Sequence, residues 1–113
     1  MPLDSRAKGK RFELALSKMF QEHGFETRRS AQYAGNTGEA ADVIGAPHIH
    51  IEAKAQETLR LKDWMEQAKH DAAKSGRLPI VFHKKSREPV LVTMEFDSFM
   101  ELYKGYEKSR GAE

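Results

Sequence analysis

The chain has 113 residues, of which 39% are hydrophobic and 32% charged, a balance typical of one folded domain with a modest core. It contains no cysteine, which excludes a disulfide framework, thiolate catalysis and a cysteine-ligated zinc site. No apolar run is long enough to cross a bilayer, and no segment has the pattern of a signal peptide. We therefore expect a cytoplasmic protein without a membrane partner.

The net charge of +2 is small, but the basic residues are clustered along the chain. Local basic patches are typical of surfaces that follow a phosphate backbone, although any single cluster is equally consistent with ordinary solvated surface. The clusters predicted to contact phosphates contain Lys8, Lys10 and Arg11, then Arg28 and Arg29, and finally Lys84.

Hydrophobic periodicity predicts three helices and five strands in the order α-β-β-β-α-β-β-α. Asp4 or Ser5 can cap the first helix, and Gly24 can end it. The helices are expected at 5–22, 61–75 and 96–106, and the strands at 25–29, 41–44, 49–54, 79–83 and 90–94. Residues 30–39, which are rich in Gly, Asn and Thr, are expected to form a loop.

This order predicts an α/β fold in which helices pack against one mixed β-sheet. The whole chain, 1–113, is expected to be one domain with its core at about 5–106 and a frayed C-terminal tail. The near-continuous apolar run at 79–83 predicts a strand that is buried on both faces. Trp64 on the second helix is expected to pack, and the apolar residues of the last helix to contact the core or another subunit.

The stretch from Asp42 to Lys54 is the most informative part of the chain. Side chains alternate between the two faces of a strand, so Ile51 and Ala53 share one face and Glu52 and Lys54 the other. A strand that buries its apolar face therefore presents a carboxylate and an ammonium together on the opposite face. With Asp42 alongside, these groups form the minimum set for holding Mg²⁺ next to a phosphodiester.

Hydrolysis of a phosphodiester needs an activated water, neutralised phosphoryl oxygens and a stabilised leaving group, all of which a divalent metal can supply. Asp42, Glu52 and the backbone carbonyl of Ala53 are the predicted ligands, since Mg²⁺ prefers oxygen donors. Lys54 is predicted to orient the water or to stabilise the transition state. Glu13, on the first helix, is predicted to complete the catalytic set, as a metal ligand or by positioning Lys54.

Other residues near this set have weaker claims. Gln67 on the second helix could reach the site, but an exposed helix position explains it equally well. His48 and His50 have an alternate spacing that can bind zinc on a strand, although the pattern lacks a third ligand.

These residues together resemble the PD-(D/E)xK nuclease superfamily, and within it the archaeal-type Holliday junction resolvases and their phage relatives. Glu-x-Lys alone is a weak motif, whereas the complete ordered set is more specific. The similarity runs from about Lys8 to Lys84. It comprises Lys8-Gly-Lys-Arg-Phe-Glu13, Gly24-Phe25 with Arg28-Arg29, the Gly-rich loop before Asp42-Val-Ile44, Ile51-Glu-Ala-Lys54, Gln67, Gly76 and Pro79.

The resemblance implies a restriction-endonuclease-like core, dependence on Mg²⁺ or Mn²⁺, and a homodimer with two active sites. It further implies paired nicks across a four-way DNA junction during DNA recombination or repair, in the host cytoplasm if the source is viral. The DNA contacts it implies are those of the basic clusters, together with Ser30, Tyr33, Asn36 and Thr37 in the loop region.

Two departures from the resolvase pattern leave other functions open. Ala41 stands where the signature has proline, and Gly35-Asn-Thr-Gly38 replaces a Gly-Ser-Gly loop. One alternative is a PD-(D/E)xK nuclease of repair, nicking or restriction type that acts on other DNA. Another is a non-catalytic DNA-binding or subunit-interaction module with the same fold.

Overall fold

In the computed structural model, which describes residues 5–30 and 41–111, three helices and five strands follow the predicted order. The predicted α/β fold with a mixed sheet is therefore confirmed. The elements are α1 Ser5–Glu22, β1 Arg28–Arg29, β2 Val43–Ile44, β3 Ile49–Ala55, α2 Leu61–Ala72, β4 Leu78–Lys84, β5 Leu91–Thr93 and α3 Phe96–Ser109.

The five strands form one sheet in the order β1-β2-β3-β4-β5. β3 and β4 run parallel and are joined through α2, while the other neighbours pair antiparallel. β2 pairs with β3 at Val43 and Ile51, and the amide of Asp42 donates to the carbonyl of Ile51 at 3.0 Å. Asp42 is therefore held at the start of β2, directly beside the strand that carries Glu52.

Each face of the sheet is covered by one helix. On the α1 side, Phe12 and Leu16 pack with Ile51 and Phe82. On the α2 side, Trp64 packs in a cluster with Met65, Ala68 and Val81. The predicted burial of β4 on both faces and the predicted packing of Trp64 are confirmed.

A helix covers the face of β3 that carries Glu52 and Lys54. A parallel crossover places its helix over the sheet, so α2 lies on the face that carries Glu52. As a result Glu52 is only 1% exposed, while Lys54, nearer the end of the strand, is partly exposed.

The turn between β2 and β3 requires glycine at position 45. Gly45 has φ +105°, and a Cβ placed on it would lie 2.9 Å from the backbone of Thr27. This close approach packs the β2–β3 turn against the segment that precedes β1, and so sets the position of both acid-bearing strands.

The last two helices end at positions other than those predicted. α2 ends at Ala72 and gives way to a turn, and α3 continues to Ser109, beyond the predicted end at Tyr106. The apolar residues of α3 are not in the core: Phe96 is 72% exposed and Tyr106 56%. No helix within the described ranges has the length and hydropathy of a membrane span.

Candidate active site

Asp42 and β3 are joined by a side-chain hydrogen bond at the point where the ladder between β2 and β3 ends. The amide of Ala53 donates to Oδ2 of Asp42 at 2.8 Å. The amide and the carbonyl of a strand residue point to the same edge of the strand, so the Ala53 carbonyl faces Asp42 as well. The two oxygen donors predicted to bind a metal, the Asp42 carboxylate and this carbonyl, therefore lie on one edge of β3.

Glu52 is held from the α2 side by a buried histidine. Nε2 of His50 lies 2.9 Å from Oε1 of Glu52, and His50 is 3% exposed. The carboxylate of Asp71 on α2 completes a group in which one donor atom from each of the three residues lies within 4.8 Å of the other two. Since Oε1 is engaged by His50, Oε2 is the oxygen of Glu52 that can bind a metal without breaking this hydrogen bond.

We expect His50→Ala to lower the free energy of unfolding by about 1–3 kcal/mol, because it leaves an acceptor of the buried Glu52 unpaired. His50→Gln keeps a side-chain donor at this position, so we expect a smaller loss in the free energy of unfolding. Urea unfolding monitored by the single Trp64 measures both variants. Equal losses in the two variants would show that the hydrogen bond to Glu52 does not contribute.

Lys54 is positioned by α2. Its Nζ donates to Oε1 of Gln67 at 2.8 Å. Lys54 and Glu52 lie on the same face of β3, so α2 contributes a partner to each of them: Gln67 to Lys54, and Asp71 to the group around Glu52. The structure thus places Gln67 beside the predicted site, although its side chain is largely exposed.

Glu13 projects from α1 and is paired with Arg29 rather than with Lys54. Nε of Arg29 donates to Oε1 of Glu13 at 2.7 Å, and Glu13 is 7% exposed. Arg29, predicted to contact phosphate, therefore has a carboxylate partner within the chain. This pair also fixes β1 to α1 beside the predicted metal ligands.

The electrostatics of Asp42 show that the predicted residues converge. Burial, followed by the negative charge of Glu52, raises the pKa of Asp42 to about 7. The hydrogen bond from the Ala53 amide opposes this rise in the pKa. The charge of Glu13 raises the pKa further, and that of Lys54 lowers it. Glu52, Glu13 and Lys54 therefore all lie close enough for their charges to act on Asp42.

The donor set fits a hard divalent cation. Carboxylate and carbonyl oxygens are the ligands that Mg²⁺ and Mn²⁺ prefer, and Asp42, Glu52 and Ala53 supply them. The raised pKa of Asp42 comes first from burial of its carboxyl and second from the negative charge of Glu52 beside it. A cation at this position would relieve that repulsion.

Several of the predicted phosphate contacts come together at the end of the sheet that follows Lys54. Lys8, Arg11 and Lys84 line an open pocket of about 230 Å³ whose wall includes Ala55. Lys8 is paired there with Glu57, at 3.0 Å between Nζ and Oε2. The pocket is basic, and it lies on the α1 side of the sheet, where Ala55 packs against the core.

The other predicted DNA contacts are dispersed. Lys10 and Arg28 are exposed, and Ser30 is buried at 9% exposure, with its amide donating to the carbonyl of Asp42. The loop residues Tyr33, Asn36 and Thr37 lie outside the described part of the chain.

Sequence reasoning missed the roles of His50 and Asp71. His50 shares a strand face with Glu52, but the sequence offered for it only a weak zinc pairing with His48; His48 is exposed and is not in the group. Asp71 follows Gln67 by four residues, and residues four apart share a helix face. A helix that turns Gln67 toward the site therefore turns Asp71 toward it as well.

Comparisons with known proteins agree with this geometry. The sequence matches the protein family described as "Phage putative PDDEXK endonuclease" over residues 4–111. Among solved structures, the fold is similar to that of Archaeoglobus fulgidus Hjc, a Holliday junction resolvase from an archaeal hyperthermophile. The TM-score is 0.58 and the identity 26%, over 77% of this chain and 72% of that one. The comparison with curated proteins found no match.

Proposed function

The chain belongs to the phage PDDEXK endonuclease family, and we propose on that basis that it is a metal-dependent nuclease of branched DNA, most specifically a Holliday junction resolvase. The observation that carries the proposal is the convergence of Glu52, Lys54 and Glu13 on Asp42. The similarity to Hjc supports the junction as substrate. The whole chain would act as one nuclease domain in recombination or repair.

In the proposed mechanism, Asp42, Glu52 and the Ala53 carbonyl hold Mg²⁺ or Mn²⁺. The bound cation supplies Lewis acidity toward the phosphate and lowers the pKa of water. His50 holds one carboxylate oxygen of Glu52 and leaves the other to the metal. A hydrogen bond of this kind to a metal-binding carboxylate fixes its geometry before the substrate arrives.

Lys54 is the proposed source of positive charge at the scissile phosphate. Its hydrogen bond to Gln67 holds the ammonium near the end of β3, where it can orient the attacking water or stabilise charge in the transition state. Glu13 adds a buried carboxylate near Asp42, and Arg29 neutralises it. Arg29 can also contact a backbone phosphate from this position.

The proposed DNA path runs from the metal ligands past the end of β3 to the pocket lined by Lys8, Arg11 and Lys84 on the α1 side. Contacts of this type position the backbone and carry no sequence information, which suits an enzyme that selects DNA by shape. Lys10, Arg28 and the loop that contains Ser30, Tyr33, Asn36 and Thr37 would extend the contact. Two nicks across a junction require two sites, so we propose a homodimer as the active form.

Cleavage of a labelled four-way junction, compared with a linear duplex of matched arms, tests the proposal. We expect symmetric nicks in the junction with Mg²⁺ or Mn²⁺, and none with EDTA. Equal cleavage of both substrates would retain the nuclease and reject the resolvase, in favour of a repair, nicking or restriction-type enzyme. DNA binding without cleavage under either metal would instead indicate a non-catalytic module.

A further inference from the structure

Glu57 accepts three hydrogen bonds on a single carboxylate oxygen. The amide and the hydroxyl of Ser86 each donate to its Oε2 at 2.9 Å, and Nζ of Lys8 donates to the same atom at 3.0 Å. Glu57 lies in the segment between β3 and α2, Ser86 between β4 and β5, and Lys8 on α1. One oxygen therefore brings together an amide, a hydroxyl and an ammonium from two other parts of the chain.

The turn after β4 provides the Ser86 amide as a donor. The amide of Glu88 donates to the carbonyl of Lys85 at 3.2 Å, which closes a four-residue turn with Ser86 and Arg87 at its centre. In such a turn the amide of the first central residue has no partner within the turn. The Ser86 amide can therefore donate to an anion outside the turn, and its own hydroxyl lies beside it.

These donors belong to the basic pocket on the α1 side of the sheet. No carboxylate is among the described residues that line this pocket, and Glu57 contacts two of the residues that do, Lys8 and Ser86. A single carboxylate does not balance the cations of the lining, so the pocket keeps an excess of positive charge that attracts anions. The cations are Lys8, Arg11, Lys84 and Lys85.

The three donors are of the types that bind the phosphates of DNA, to which proteins donate from lysine, serine and backbone amides. Like a phosphodiester, the Glu57 carboxylate shares one negative charge between two oxygens. The donors, first the Ser86 amide and then Lys8, lower the pKa of Glu57 to about 2, so its side chain is an anion at neutral pH. The side chain is 57% exposed, and water can therefore solvate it when it leaves its partners.

We propose that Lys8 and Ser86 form a binding site for a phosphate of the DNA backbone, and that the Glu57 carboxylate occupies this site in the free protein and leaves it when DNA binds. Because its ligand is DNA, the site rests on the proposed function, to which it adds a contact outside the metal-binding group. Ala55 follows Lys54 on β3 and lines the pocket, so a backbone held there passes the end of the strand that carries the catalytic lysine.

Binding of a labelled four-way junction and of a linear duplex, measured by fluorescence anisotropy in EDTA, tests the competition. Glu57→Gln removes the competing charge, and we expect it to bind both DNAs about tenfold more tightly than the parent, the effect of one charge-assisted hydrogen bond. Glu88→Gln is the matched control, since it removes the same charge from an exposed position two residues from Ser86. It should change the affinity by less than about threefold. A Glu57→Gln protein that binds no more tightly than the control overturns the proposal.

Two further variants identify the shared donors. Lys8→Gln or Ser86→Ala, added to Glu57→Gln, should remove most of the gain in affinity, because the phosphate then loses a donor. In the parent each should have a smaller effect, because it weakens the hold on Glu57 as well as on DNA. Equal losses in the two backgrounds would show that Glu57 and DNA do not share these donors, and would reject the site.

Nuclear magnetic resonance of the Ser86 amide tests the site without any variant and separates DNA from a free anion. We expect the amide resonance of the parent to shift on addition of DNA and to stay in place with inorganic phosphate at the same phosphate concentration. No shift with DNA, or an equal shift with inorganic phosphate, overturns the assignment. If neither the parent nor Glu57→Gln binds DNA, the proposed function fails as well, whereas equal binding by both rejects this site alone.

Discussion

Replacing Glu52 by glutamine is expected to reduce metal-dependent cleavage by on the order of 10³-fold or more, while DNA binding measured in EDTA is kept. Glu52 is the most deeply buried member of the acidic set, and glutamine removes the charge that would hold the cation beside Asp42. The glutamine amide can still form a hydrogen bond with His50, so the surroundings of the side chain are preserved. Single-turnover cleavage of a labelled junction measures the effect.

The matched control for this substitution is Glu66→Gln, which removes the same charge at an exposed position of α2. We expect the control to cleave within about twofold of the parent, because an isolated surface charge contributes little to the site. If Glu52→Gln retained full cleavage, the assignment of Glu52 as a metal ligand would be wrong. A variant that lost both cleavage and the folded state would show instead that Glu52 is structural. Circular dichroism of the variant distinguishes these cases.

Replacing Asp42 by asparagine should abolish cleavage and yet stabilise the protein above neutral pH. Burial and the charge of Glu52 raise the pKa of Asp42 from 3.8 to about 7, so the folded state binds this proton more tightly than the unfolded state does. Stability from this group is present at low pH and is lost as the pH rises from about 4 to about 7. Asparagine is neutral throughout and can still accept the Ala53 amide hydrogen bond.

The expected stability gain of Asp42→Asn is near zero at pH 4 and reaches roughly 2–4 kcal/mol at pH 8, since one pKa unit corresponds to about 1.4 kcal/mol. Urea unfolding at a series of pH values measures it. Mn²⁺ should raise the melting temperature of the parent and leave that of the variant unchanged, because a cation stabilises only a folded state that binds it. A variant less stable than the parent at pH 8 would show that the charge of Asp42 is compensated within the chain.

Most of the fold could be predicted from the sequence, because its strongest signals are periodic patterns of apolar residues. The apolar positions of α1 and the run in β4 identify buried faces without any knowledge of neighbours. The C-terminal ends of α2 and α3 were less predictable, since α2 gives way to a turn before Gly76 and α3 continues almost to Gly111. That α3 would leave the body of the protein could not be read from its pattern, because an amphipathic helix looks the same whether its partner is its own core or another chain.

In the candidate site, too, some features follow from local sequence and others depend on the tertiary fold. Glu52 and Lys54 lie two residues apart on one strand, so their shared face follows from local geometry alone. The pairing of Arg29 with Glu13, and of Gln67 with Lys54, depends on how two helices cross the sheet. Such contacts join residues 13 or more positions apart, and spacing does not encode them. The roles predicted for these residues in catalysis and DNA binding stay predictions.

The two carboxylates of the proposed metal site, Asp42 and Glu52, lie on parts of the sheet that differ in local stability. Glu52 belongs to a seven-residue strand that pairs along its whole length with β4 and is enclosed by two helices. Asp42 precedes a two-residue strand whose outer neighbour, β1, is also two residues long. Short edge pairings of this kind open locally long before a protein unfolds. A cation bound to both carboxylates would tie this edge to the rigid centre, so that closing the edge and forming the active site would be a single event.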